Sequence, residues 1–350
     1  MKNIIGAKPE SAAAEVRFLT VDEESAGQRL DNFLFRHLKG VPKTHVYRII
    51  RSGEVRINKG RAQAESRLVA GDLLRLPPVR VAARAEEGAA PPAPAREFPL
   101  LLEDDALIAI DKPAGVAVHG GSGVSFGVIE QLRTARPAAR FLELVHRLDR
   151  ETSGILLVAK KRSALTALQD QFRERETGKT YLALVEGAWP ANRKVLDSPL
   201  AKYLLPSAKG STEPGERRVR VVAKDHPDAM RALTLVRVVG SLTLPGDRQP
   251  LSLLAVTIKT GRTHQIRVHL ASAGHAIVGD DKYGDFERNR ALQKLGVKRM
   301  FLHAWRLQFN HPASGERTAL QADLPPELQA LMTPSLRDAL AQSPVTISHD

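Results

Sequence analysis

The stretch His146-Arg147-Leu148-Asp149-Arg150-Glu151-Thr152-Ser153-Gly154, followed at once by Ile155-Leu156-Leu157-Val158-Ala159, decides how this chain reads. The second part is a short apolar run after small polar turn residues, the pattern of a buried strand. The first part sets one carboxylate, Asp149, between two arginines at the mouth of that strand. Crowding by guanidinium groups should keep such a carboxylate ionised. A fixed, ionised aspartate can act as a nucleophile or a base. The same spacing also fits a surface turn laced by salt bridges, and on spacing alone both readings stand.

Outward from that run, short β-type segments dominate: Leu107–Ile110, Thr180–Glu186, Arg218–Ala223, Ala232–Val239, Leu253–Lys259 and Phe301–Phe309. Helices are fewer. Ser163–Arg173 carries Leu165, Leu168 and Phe172 on one face, Thr263–Ala273 ends at Gly274, and a last helix follows Pro325-Pro326. Strand and helix do not alternate regularly, which argues against a doubly wound parallel sheet. The expected architecture is an α+β domain over residues 97–340 with a large, mostly antiparallel mixed sheet.

A second, smaller α/β domain is expected over residues 16–81. Leu30, Phe33, Leu34 and Leu38 recur at helical spacing, Thr44 is placed to cap a helix carrying Val46, Ile49 and Ile50, and Val55–Asn58 alternates like a strand. Its polar positions are rich in Arg29, Lys43, Arg48, Arg51 and Arg56, a one-signed excess suited to phosphates, though a solvated face would look similar. Residues 1–15 read as disordered, residues 82–96 as an Ala/Pro-rich linker, and residues 341–350 as a tail.

The 350 residues hold 52 Lys plus Arg against 39 Asp plus Glu, a formal net charge of +13. That balance suits a polyanion, and nucleic acid is favoured over membrane because no apolar run nears the ~20 residues that span a bilayer. The N-terminus lacks a signal-peptide core, so the cytoplasm is the expected compartment. The chain has no cysteine, which excludes disulfides, thiol nucleophiles and Cys-ligated metals. Thr177-Gly178-Lys179-Thr180 ends like a phosphate loop, but Arg173 stands where its first glycine belongs. His119–Gly123 lacks a nucleophile elbow, and no metal-ligand spacing occurs.

Three segments retain chemistry. Besides the Asp149 run, Lys179–Gly187 reads as a strand with Tyr181, Ala183 and Val185 on one face. Tyr181 is either a packed core aromatic or a platform on which a base stacks. In Thr260–Leu270, Thr263 is a plausible helix cap and Ile266, Leu270 and Ala273 form an apolar face. Arg267 then falls at the edge, half buried, and needs an anionic partner from a structural carboxylate or from Asp149.

Asp111-Lys112-Pro113-Ala114-Gly115, His146–Gly154, Lys179–Gly187 and Gly261–Leu270 resemble, in that order, the motifs of the RluA-type family of RNA pseudouridine synthases. Val118–Gly123, Ser125–Glu130, Phe141–Val145 and Gly279–Gly284 resemble the branch that acts on the large ribosomal subunit. Arg29-Leu30-Asp31, Ser52-Gly53-Glu54-Val55, Ile57-Asn58 and Val69-Ala70-Gly71-Asp72 resemble the S4 RNA-binding domain. One departure is Lys209–Pro214, which reads as a lengthened loop.

The resemblance implies isomerisation of uridine to pseudouridine in 23S rRNA or its large-subunit precursor, without cofactor or metal. It implies Asp149 as the catalytic carboxylate, Arg267 paired with it and keeping it ionised, Tyr181 stacked on the flipped base and able to assist proton removal from C5, and Arg147 holding the space that base vacates. It implies neither a membrane nor a protein partner, and monomer is the default state. The rival expectations are the same chemistry on another RNA such as tRNA, and a non-catalytic RNA-binding ribosome-assembly factor.

Overall fold

In the computed structural model, the apolar run at the centre of the sequence reading becomes a strand buried at every residue, Ser153–Ala159. The structure describes residues 15–38, 40–79, 93–121, 124–205 and 216–343. The loop Lys209–Pro214 and most of the expected N-terminal segment, linker and tail lie outside the described residues. The chain divides into two compact units, Met1–Pro91 and Pro92–Asp350.

The first unit contains β1 (Arg17–Thr20), α1 (Leu30–His37), α2 (Lys43–Arg51), β2 (Arg56–Ile57), β3 (Gly60–Arg61) and β4 (Leu73–Leu76). Its sheet runs β1-β4-β2-β3, all antiparallel. Leu30, Phe33 and Leu34 of α1 meet Val46, Ile49 and Ile50 of α2 in one core, as the helical spacing predicts. Two details differ from expectation. Pro42, not Thr44, occupies the N-cap of α2; proline's fixed φ starts the turn without a side-chain cap. The strand at Val55–Asn58 shrinks to two residues because Asn58 and Lys59 turn left-handed, at φ 50° and 70°, to close a tight hairpin.

The second unit opens with β5 (Leu100–Glu103), β6 (Leu107–Lys112), α3 (Val128–Ala135), β7 (Glu143–Leu144), β8 (Ser153–Ala159), α4 (Arg162–Glu174) and β9 (Gly178–Glu186). It continues with β10 (Val195–Leu196), β11 (Leu200–Leu205), β12 (Glu216–Val221), β13 (Thr234–Leu242), β14 (Leu251–Ile258) and α5 (Gln265–Ser272). It closes with α6 (Phe286–Lys294), β15 (Leu302–Asn310), β16 (Arg317–Gln321), α7 (Pro326–Gln329) and α8 (Pro334–Ala341). The main sheet runs β10-β13-β14-β9-β15-β8-β6-β5, with β16 added to β15 and β7 to β8; β11 and β12 form a separate hairpin.

Among the described residues only the β15–β8 pairing is parallel and the others are antiparallel, so the mixed, mostly antiparallel α+β sheet is observed. Central strands buried on both faces read as near-continuous apolar runs. In β9, period two sends Leu182 and Leu184 into one core, where Phe301 and Trp305 also pack. Ala183 and Val185 enter the opposite core with Ile266 and Leu270 of α5, and Tyr181 packs against its edge. Helix α5 therefore lies on the face of the sheet that carries Tyr181. Among the described residues no helix is long and apolar enough to cross a membrane.

Candidate active site

The turn between β7 and β8 holds Asp149, and its backbone is pinned from below. Lys112, at the end of β6, is fully buried. Its Nζ donates to the carbonyls of Pro113 (2.8 Å), Val116 (2.8 Å) and Arg150 (3.1 Å). Burial pushes the Lys112 amine down to about 7, against the opposing charges of Glu151 and Asp149. The Arg150 carbonyl also accepts the Gly115 N–H at 2.9 Å, and the Thr152 N–H closes the turn onto the Asp149 carbonyl at 3.1 Å. Two segments distant in sequence thus fix one short loop.

The guanidinium beside Asp149 is not one of its sequence neighbours. Arg150 pairs with Glu151 at 2.7 Å, and Arg147 is exposed. Arg267 of α5 instead donates from Nη1 to Asp149 Oδ2 at 3.4 Å. The expectation that flanking arginines crowd Asp149 is corrected accordingly: side chains adjacent in an extended turn diverge, whereas a helix across the sheet can aim one inward.

Arg267 is also more deeply placed than its position in the sequence suggests. Its side chain is 3% exposed, rather than half buried, because Asp280 takes the other side of the fork. Nε and Nη2 donate to the two Asp280 oxygens at 2.7 Å each, a bidentate geometry that fixes the guanidinium plane. Burial pushes the Asp280 carboxyl up, but Arg267 and the backbone N–H groups of Lys282 and Tyr283 outweigh it and hold it below the ordinary range. Burial works against the charge on Arg267 too, and the carboxylates more than restore it. Asp280 orients Arg267, and Arg267 reaches Asp149.

Tyr181 lines the same hollow as Asp149, Arg147, Thr152, His264 and Arg267. Burial, and secondarily the charge of Asp149, raise its phenol above the ordinary value, so it stays a neutral ring with an intact O–H. His146, adjacent in sequence, leaves the hollow altogether. It stacks on Phe172 with centroids 4.7 Å apart, and its Nε2 accepts the Leu157 N–H at 3.1 Å.

Thr263 does not cap α5. His264 does, in a left-handed conformation at φ 52°, while Gln265 Oε1 takes the Arg262 N–H (3.1 Å) and the Thr260 hydroxyl (2.7 Å). Spacing located the helix but not this local hydrogen-bond competition.

In the first unit, Lys43, Arg48 and Arg51 of α2 are exposed, and Arg56 is partly so. Arg51 lies with Tyr47, Arg61 and Gln63 around one depression. Arg29 is engaged internally: Nη2 meets Asp31 at 2.7 Å and Glu65 at 3.4 Å. The described residues contain no cluster of three or more His, Cys, Asp or Glu able to hold a metal ion.

Residues 106–272 match the family model for RNA pseudouridylate synthase, and residues 28–74 match the S4 domain. The ribosomal large subunit pseudouridine synthase C of Pasteurella multocida is 49% identical over 323 residues, covering 91% of this chain and 93% of its own. The chain belongs to the RNA pseudouridine synthase family. Within that family, the Escherichia coli protein bearing the same name is 49% identical over 322 residues, covering 91% of this chain and 95% of its own. Among solved pseudouridine synthase folds, human RNA pseudouridylate synthase domain containing 4 superposes with a TM-score of 0.53 at 28% identity, over 69% of this chain and 93% of that one.

Proposed function

We propose that this protein isomerises specific uridines of 23S rRNA, or of its large-subunit precursor, to pseudouridine. The relatives named for large-subunit modification, 49% identical across 91% of the chain, support the choice of RNA. The observation that carries the chemistry is the line Asp149–Arg267–Asp280: one carboxylate, 22% exposed at the hollow, is held by an arginine that a second, fully buried carboxylate orients.

In the reaction the N1–C1′ bond breaks, the detached uracil turns, and C5 bonds to C1′; the C5 proton leaves and N1 regains one. Asp149 acts at the sugar, by attack on C1′ or removal of a 2′ proton. A charge held by a pre-oriented guanidinium needs little reorganisation during reaction. Tyr181, with its phenol kept neutral, stacks on the extruded base beside the C5 whose proton must leave. Exposed Arg147 is placed to enter the gap the base leaves, offsetting an unstacking cost of about a few kcal/mol. No cofactor is required, because the rearrangement is redox-neutral and the uracil stays in place.

Residues 16–81 act as the RNA-anchoring domain through Lys43, Arg48, Arg51 and Arg56, with Arg29 bracing Asp31; residues 97–340 carry the chemistry. The protein works as a cytoplasmic monomer with no protein partner. Pseudouridine mapping of rRNA from cells with and without the gene tests the choice of substrate. Loss of particular large-subunit pseudouridines is expected. An unchanged rRNA pattern with losses in tRNA would move the substrate to another RNA.

A further inference from the structure

His264 lines the hollow beside Asp149. It is a non-glycine residue at φ 52°, a sparsely populated backbone state that recurs where a side chain must be aimed. Its side chain is 14% exposed, and its Nε2 faces Asp149 Oδ2 at 3.8 Å, beyond hydrogen-bond length. The gap opens onto the hollow that both residues line.

The other side of the ring is tied to a relay. His264 Nδ1 lies 2.7 Å from the Tyr283 hydroxyl, and that hydroxyl accepts the Val219 N–H of β12 at 3.2 Å. The Asp149 carboxylate facing Nε2 favours the ring proton on that nitrogen, which leaves Nδ1 to accept the phenol's hydrogen. Tyr283 is itself wedged in place, edge-on to His264 at 5.5 Å and under the Arg267 guanidinium at 5.2 Å.

We propose that His264 is a binding residue for the target nucleotide, its Nε2–H donating to the ribose 2′-hydroxyl while that hydroxyl donates to Asp149. A hydroxyl oxygen can lie about 2.9 Å from both groups, off the line that joins them. The 2′-hydroxyl has the required character, at once acceptor and donor, and it is the group that separates RNA from DNA. This assignment rests on Asp149 meeting the ribose of the target uridine, and it makes the site's preference for a ribonucleotide the joint property of His264 and Asp149. Tyr283 is a positioning residue that holds the ring in this tautomer.

The test compares wild type, His264→Ala, His264→Gln and Tyr283→Phe on an rRNA fragment containing a uridine the wild type modifies. The KM for that fragment is set beside the inhibition constant of the same fragment carrying 2′-deoxyuridine at the target. His264→Ala should raise KM roughly five- to tenfold, the worth of one hydrogen bond, and leave the deoxyuridine constant within about twofold. His264→Gln, which keeps an N–H donor at similar reach, should recover most of the loss. Tyr283→Phe should shift in the same direction by less. Equal weakening on both fragments by variants that melt like the wild type, or no weakening on either, overturns the proposal, and His264→Gln, which keeps the shape and the donor, carries the test if His264→Ala melts lower. Absence of wild-type turnover on any rRNA fragment overturns this assignment together with the substrate, while turnover without the differential loss overturns the histidine alone.

Discussion

Asp149 and His146 stand three residues apart and do opposite work. Asp149 faces the hollow, while His146 turns into the core beneath β8 as an uncharged acceptor. Burial pushes the His146 imidazole down to about 3 and that of His303 down to about 4. Folded imidazoles below their ordinary 6.5 bind fewer protons than the unfolded chain between those values, so stability falls as pH drops below about 6.5. His37, His264 and His269 shift the same way, all led by burial. Asp111 opposes them, since burial raises its carboxyl to about 6 and its protonation favours the folded form. The histidines outnumber it, and the two with the largest downward shifts, His146 and His303, each cost on the order of 2 kcal/mol of stability at pH 5. The melting temperature should therefore fall between pH 6.5 and pH 5, and His146→Gln should flatten that slope. A melting temperature independent of pH over this window would contradict the burial argument. Asp149, Tyr181 and Arg267 stood out in the sequence because each lies in a segment that resembles a family motif; spacing alone left a structural reading open for every one of them. Asp280 had no visible role, because what defines it is a contact with a helix 13 residues earlier, and spacing does not report such contacts.

At the scale of elements, the site depends on how closely β8 approaches β15. Gly154, at φ 109°, pairs in parallel with Ala304, and a Cβ there would sit 2.3 Å from the Ala304 carbonyl oxygen. Gly154→Ala should therefore cost roughly 3 kcal/mol or more, from backbone strain and the forced separation of two buried strands. Gly115→Ala serves as its control. Gly115 shares the left-handed conformation, at φ 81°, but has open space where the Cβ would go, so only about 1–2 kcal/mol is expected. Denaturant unfolding distinguishes the two, and equal costs would show that the strand contact is unimportant. The long strands of the main sheet were legible as apolar runs between turn residues, whereas β5, β11 and β16 were not read from the sequence. Helix α6 was not, because among its nine residues only Leu292 is buried and no apolar period appears. The start of α5 was misplaced for a related reason. Thr263 has the chemistry of a cap, but His264 occupies the N-cap position, and the Gln265 side chain bonds back to Thr260 and Arg262.

For the whole molecule, composition named the class of partner and the motifs named the reaction. A net charge of +13 suits a polyanionic partner. It does not distribute that charge, and in the structure Arg29, Arg136 and Arg288 are consumed in internal ion pairs while α2 keeps Lys43, Arg48 and Arg51 exposed. The first unit has one apolar core of its own, whose helical spacing the sequence shows, while the second unit packs separate cores on the two faces of its sheet. The claim that joins these levels is that a single carboxylate, Asp149, carries out isomerisation on large-subunit rRNA. It is tested most directly by incubating unmodified 23S rRNA with wild-type protein and with Asp149→Asn, then reading pseudouridines by carbodiimide treatment and primer extension and binding by filter retention. Wild type should produce new stops at defined uridines, and Asp149→Asn none, with RNA affinity within about threefold because one carboxylate adds little to phosphate-dominated binding. Pseudouridine formation by Asp149→Asn at the wild-type rate would contradict the account.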